Sequence, residues 1–147
     1  MSGRHLVDAA LAGAATGLRS SVGIGALIET TSTGLPPPAT AAPARLVAGL
    51  GVAGELVVDK LPATPSRLAP PGLLARIVLA GVAGAVIARA SDRRVAPAMV
   101  VAATTAVVSA RIGHDLRGLA STRVPPLAAA VGEDLVAIGL AALAVRR

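Results

Sequence analysis

The sequence predicts an all-α fold: a polytopic membrane helix bundle of about five spans, formed by a single integral membrane domain over residues 1–147. Hydrophobic residues make up 54% of the chain and charged residues 15%, whereas soluble domains carry roughly 25% charged residues. The apolar residues fall into runs near the ~20 residues that cross a hydrocarbon core about 30 Å thick. Prolines and short polar segments separate these runs.

Five apolar stretches are long enough to be the spans. They cover residues 6–28, 44–61, 73–90, 95–112 and 127–145. The triple proline 36–38 cannot be helical throughout, and residues 91–94 form a polar turn. Residues 113–126 are predicted to form a polar connection, and the last helix can begin at the Pro pair that ends it. A cleaved signal peptide is disfavoured because Arg19 lies within the first apolar run.

Charge and composition indicate lipid, and not nucleic acid, as the main partner. The net charge is +6, but the basic residues are scattered between apolar runs instead of forming one stripe. Phosphate of the lipid bilayer is therefore the expected counter-charge. The chain has no aromatic residue on which bases could stack and no Cys. His5 and His114 belong to no ligand motif, so we predict no metal and no cofactor.

Small residues recur at helical spacing in two spans. In the third span, Gly84 lies between Ala80 and Ala88 at steps of four. In the first span the same spacing gives one stripe: Ala9, Gly13, Gly17, Ser21 and Gly25. Such stripes let membrane helices approach closely, which predicts helix packing and a homo-oligomer. The alternative is that Gly and Ala are simply abundant here.

Ionisable side chains inside the apolar spans suggest a site. Each costs about 2.5–3.5 kcal/mol at the centre of a membrane helix, so such residues normally pair or serve a function. The candidates are Arg19, Glu55, Asp59, Glu133 and Asp134. We expect Arg19 to balance Glu55 and Glu133 in a charged midplane site that binds or passes a small solute or ion. The alternative is a non-transporting scaffold or assembly factor with structural ion pairs.

A short internal similarity suggests duplication. Residues 54–57 (GELV) resemble residues 132–136 (GEDLV), and each lies in the second helix of a hairpin. The first helices of these hairpins carry Arg19 and Arg111. One span separates the hairpins, which would place them in opposite orientations. The odd number of intervening spans therefore predicts two inverted helical hairpins. In membrane proteins of this kind, binding sites form at the interface between the two repeats.

Signatures of catalysis are weak. Gly49-x-Gly51-x-x-Gly54 matches a dinucleotide-binding pattern, but no acidic residue follows about 20 positions later. No Gly-x-Ser-x-Gly elbow is present. We therefore predict that the protein is not an enzyme. A third possibility is an enzyme or carrier acting on lipid phosphate, with Arg19, Arg67 and Arg76 as phosphate ligands.

Three segments carry a family resemblance. They are residues 17–20 (GLRS), residues 55–62 (ELVVDKLP) running into 65–67 (PSR), and residues 132–134 (GED). Together they resemble the domain of unknown function 4126 family of small bacterial membrane proteins. The resemblance implies a multi-pass location in the bacterial inner membrane. It implies no catalytic residue, because the family has no assigned activity.

Overall fold

The computed structural model describes residues 3–20, 22, 70–120 and 122–145. Within these ranges the chain forms four α-helices and no strand. They are α1 (Arg4–Leu18), α2 (Pro70–Ala90), α3 (Val95–Ala120) and α4 (Pro126–Val145). The all-α prediction is confirmed for the described part of the chain, and the predicted spans 73–90, 95–112 and 127–145 each lie on one helix.

Prolines mark where helices begin. α2 and α4 start at Pro70 and Pro126, since proline's fixed φ suits the first helical position, where an N–H would have no intrahelical partner. Before α4, the Pro125 carbonyl accepts the N–H groups of Ala128 at 2.9 Å and Ala129 at 3.2 Å. The Pro pair therefore opens the last helix, as the sequence indicates.

A tight turn joins α2 to α3. Asp92 has φ 51°, in the left-handed region. Its N–H donates to the Arg89 carbonyl at 3.1 Å, and the Arg93 N–H donates to the Ala88 carbonyl at 2.8 Å. This pair of bonds is the Schellman arrangement, which satisfies the last carbonyls of a helix and favours glycine at the left-handed position.

We expect Asp92→Gly to stabilise the protein by about 1 kcal/mol, because glycine adopts the left-handed conformation without a Cβ clash. Asp92→Val should destabilise the protein, since a β-branched residue tolerates the left-handed conformation poorly. The measurement is thermal unfolding in detergent, followed by helical circular dichroism. Ser91→Gly is the control, because the φ of Ser91 is not positive. A gain from Ser91→Gly equal to that from Asp92→Gly would contradict the explanation.

The directions of the helices follow from their contacts. Short turns make α2 and α4 antiparallel to α3. Gly13 lies against Ala102 and Gly17 against Ala106, so α1 runs parallel to α3. Ala12 packs near Ala144, so α1 is antiparallel to α4. α1 thus lies at the centre and packs on the other three helices, whereas α3 and α4 touch each other little.

The predicted inverted hairpins are wrong for these helices. Inversion requires the first and fourth predicted spans to run in opposite directions, but α1 and α3, which represent them, are parallel. The supposed counterparts also differ, because the Arg111 side chain is 68% exposed and that of Arg19 is buried. Helix direction is set by the backbone contacts between α1 and α3, which a four-residue similarity does not encode. Residues 44–61 lie outside the described ranges.

The bundle has small residues inside and large apolar residues outside. Ala9, Ala80 and Ala98 are among the alanines with no exposed surface. Among the described large apolar residues, those more than 60% exposed are Leu74, Val100, Leu119, Leu127 and Leu135. In water this surface would be an extensive exposed apolar patch, whereas lipid tails solvate it well.

Of the helices that the structure describes, three have the length and composition of membrane spans. They cover Gly72–Ala90, Val95–Ala120 and Pro126–Val145. Together with the apolar exterior, they indicate a protein with several passes through a membrane.

α3 is longer than its predicted span. Its 26 residues extend about 39 Å, beyond the ~30 Å of a hydrocarbon core. Residues 113–120, predicted as part of a polar connection, are helical. An ion pair between Arg111 and Asp115, at 3.2 Å, bridges one turn of this end and supports the helix. The charged residues therefore lie on a helix that projects past the apolar region.

Candidate charged site at the end of α1

Arg19 lies where α1 ends. Its backbone is extended (φ −140°, ψ 115°), while its N–H still donates to the Ala15 carbonyl at 2.8 Å. The Arg19 carbonyl accepts the N–H of Val22 at 3.2 Å. The predicted span 6–28 is therefore not one continuous helix. Inside a membrane, such a break is tolerated where protein or a cavity surrounds the backbone, and Arg19 is fully buried.

The guanidinium of Arg19 forms an ion pair with Asp134 on α4. The exposed fractions of the two side chains are 1% and 13%. The prediction names Glu55, which lies outside the described residues, and Glu133 as the acids that balance Arg19. The acid of α4 in direct contact with Arg19 is Asp134. Successive residues of a helix point about 100° apart, and α1 lies on the side of α4 that Asp134 faces.

Glu133 pairs instead with Arg117 on α3. Its side chain is 10% exposed and that of Arg117 is 34% exposed. Sequence reasoning missed Arg117 because it assigned that residue to a connection between helices. The spacing of Ile112, Leu116 and Leu119, at steps of three and four, is the signal that α3 continues.

Two neighbouring acids thus join α4 to two different helices. Asp134 reaches α1 and Glu133 reaches α3. Because α4 has little other contact with α3, the Arg117–Glu133 pair is the main polar link that the described residues provide between these helices. Glu55 and Asp59, the other two predicted acids of the site, lie outside the described residues.

The charged site lies nearer the end of α3 than its middle. A Cβ added to Gly113 would lie 3.4 Å from the Glu133 carboxylate, which sets Glu133 level with Gly113. That level is about 27 Å from the start of α3. The exposed Arg111 occupies the same region of α3 on the outer surface. Along α3 the charged site therefore lies toward the end of the helix, whereas Asp134 is near the middle of α4; the midplane position stays a prediction.

The glycines predicted to pack helices lie at close backbone contacts. A Cβ at Gly13 would be 2.7 Å from the Ala102 Cα, and one at Gly17 would be 2.9 Å from the Ala106 carbonyl carbon. At Gly84 it would be 2.8 Å from the Ala98 carbonyl carbon. Backbones this close require a residue without a side chain. Ser21 and Gly25, the rest of the predicted stripe, are beyond the described ranges.

Arg76 is a second buried arginine, only 4% exposed. Its guanidinium donates to the Gly72 carbonyl at 3.3 Å, one turn earlier in α2. Arg76 lies near the start of the third predicted span, so its side chain is expected to extend to the membrane surface. In the structure the side chain is instead buried in the bundle. Arg67, named with it as a phosphate ligand, is outside the described residues. The described residues contain no cluster of three metal-ligating side chains.

A cavity of about 330 Å³ lies beside the charged site, between the end of α3 and the start of α4. Its walls are largely apolar, with Leu18, Ile112, Leu116 and Val136 among them. Arg117 and Glu133 supply its charged part. The volume is at the lower end of the range of roughly 300–1,000 Å³ seen for small-ligand pockets.

Comparison with protein-family models, curated proteins and solved structures finds no match for this chain. The resemblance to the domain of unknown function 4126 family therefore stays a prediction from the sequence.

Proposed function

We propose that this chain is a non-enzymatic protein of the bacterial inner membrane that binds or passes a small solute or ion at the charged site of Arg19, Asp134 and Glu133. The bilayer is its partner, and its glycine-bearing helices assemble it into a homo-oligomer. The observation that carries the proposal is the buried Arg19 directly after the last residue of α1, Leu18.

Two features support a binding role. Membrane transporters commonly form their substrate sites where helices are interrupted, because unwound backbone adds polar groups there. Ionisable residues inside a membrane bundle also mark solute and proton pathways by default. Here Arg19 has extended backbone at the end of α1, and its partner Asp134 adjoins a second acid, Glu133.

The test compares flux in liposomes between the wild type and the double variant Arg19→Gln/Asp134→Asn. The double variant removes both charges of this ion pair together. We expect the wild type to pass a candidate ion or solute and the double variant to lose that flux. Helical circular dichroism verifies that both proteins remain folded.

The matched control is Arg111→Gln/Asp115→Asn, which removes an ion pair of the same two residue types from the outer surface. These side chains are 68% and 54% exposed, and we expect flux to stay unchanged. No wild-type flux for any ion or small solute at several pH values, or equal flux in all three proteins, would overturn the proposal.

The competing proposal is a non-transporting scaffold or assembly factor. It is favoured by the two ion pairs of α4, since each acid already has an arginine partner. Buried pairs of this kind are able to fix the register and orientation of helices without further function. A folded double variant that assembles incorrectly, in a protein without measurable flux, would support it.

A further inference from the structure

The cavity between α3 and α4 has the form of a groove along the two helices. It runs from Ser109 to Ala120 on α3, a length of roughly 16 Å. The groove exists because α3 and α4 make little contact here, and because one of the α4 residues in its wall, Gly132, has no side chain. A Cβ built at Gly132 would meet no atom within 4 Å.

The groove faces outward, toward the medium around the bundle. Ile112, Leu116 and Val136 in its walls are 52%, 59% and 55% exposed. They belong to helices with the length and composition of membrane spans. Lipid chains are therefore the medium with which these apolar walls are in contact.

Polarity changes along the groove. Leu18 and Val136 line its inner part, whereas Arg117 lies farther toward the end of α3. Arg117 lies one turn beyond Gly113, and its side chain, which is 34% exposed, contacts the Glu133 carboxylate.

The charge of Arg117 complements a phosphate. An arginine carries five N–H donors in a planar fork that suits phosphate oxygens. The pair with Glu133 is made through one terminal nitrogen of that fork. Arg123, in the turn before α4, adds a further positive charge to the same end of the bundle.

We propose that this groove binds one membrane phospholipid, with one acyl chain along Leu18, Ile112 and Val136 and the head-group phosphate on Arg117. The apolar length, the outward opening and the partly exposed cation toward the end of α3 match the order of groups in a phospholipid. The inference goes beyond the proposed solute site and does not depend on flux through it.

The first test measures lipid retained by the purified full-length protein, using native mass spectrometry after exposure to phosphatidylglycerol in detergent. We expect one tightly held lipid per chain. Gly132→Leu fills the groove from α4 and should lower retention by roughly tenfold. Gly139→Leu is the matched control on the same helix, since its Cβ also meets nothing within 4 Å and it does not line the groove. It should retain lipid as the wild type does.

The second test isolates the head group. Diacylglycerol with the same acyl chains lacks the phosphate, so the wild type should prefer phosphatidylglycerol by roughly tenfold. In Arg117→Gln/Glu133→Gln, which removes the charge pair together, this preference should disappear. An unchanged preference in that variant would overturn the assignment of Arg117.

Two further results would overturn the groove itself as a lipid site. One is equal lipid loss in Gly132→Leu and Gly139→Leu. The other is a wild-type dimer without retained lipid that Gly132→Leu converts to monomer, since the groove would then be an interface between copies. Neither result bears on flux through the charged site, so the two proposals fail separately.

Discussion

Replacing Asp134 by asparagine is expected to destabilise the protein by about 3–5 kcal/mol, the range for removing one partner of a buried ion pair. The Arg19 side chain is 1% exposed, so its charge has little access to water once the Asp134 carboxylate is gone. The measurement is the free energy of unfolding in mixed detergent. Helical circular dichroism reports it, because the chain has no aromatic residue to serve as a spectroscopic probe.

Two controls accompany this variant. Asp115→Asn breaks an exposed pair and should cost at most about 0.5 kcal/mol. Arg19→Gln/Asp134→Asn should lose less stability than Asp134→Asn alone, because both charges leave together. An Asp134→Asn protein as stable as the wild type, or a double variant less stable than the single one, would show that the pair does not hold α4 against α1.

Gly17→Ala is expected to destabilise the protein by about 1–3 kcal/mol, the usual cost of overpacking a close contact. A Cβ there would lie 2.9 Å from the Ala106 carbonyl carbon. That neighbour is backbone, so α1 and α3 must move apart to admit the methyl group. Every contact of the central helix α1 with α3 weakens as a result. Unfolding in detergent measures the loss.

The control for Gly17→Ala is Gly139→Ala. Both exchanges replace a glycine by alanine in an apolar stretch, but a Cβ at Gly139 meets nothing within 4 Å. Without a steric clash, the higher helix propensity of alanine should make Gly139→Ala stabilise the protein by up to about 1 kcal/mol. Equal effects of the two substitutions would mean that the close approach of α1 and α3 contributes nothing to stability.

The glycine contacts also explain how the charged site is built. Gly13 and Gly17 bring α1 against the backbone of α3, which places the end of α1 beside the start of α4. Arg19 then follows the last helical residue at the level of Asp134. The position of the ion pair is thus a consequence of small-residue packing two and six residues earlier in the chain.

Much of the fold was accessible from local sequence. Apolar runs of about 20 residues and the prolines at their ends predict α2 and α4 closely, because hydrophobic length and proline's fixed φ act within a few residues. The end of α3 was missed for a related reason. Polar residues such as His114 and Asp115 are typical of a loop, although a helix longer than the hydrocarbon core also carries such residues on its projecting end.

The chemistry of the site followed from sequence only in part. Arg19, Glu133 and Asp134 stand out because ions inside apolar runs are costly wherever those runs pack. Arg117 did not stand out, since its importance comes from facing Glu133 across a gap between two helices.

By itself, the sequence determined the all-α class, the apolar character of the helices and the small-residue spacing, since each depends on residues within a few turns of one another. Only the tertiary structure decided which arginine pairs with which acid, that α1 and α3 run parallel, and that a groove remains between α3 and α4. These features depend on the relative direction and rotation of helices distant in sequence. That geometry arises from backbone contacts at glycine and alanine, which no single span encodes.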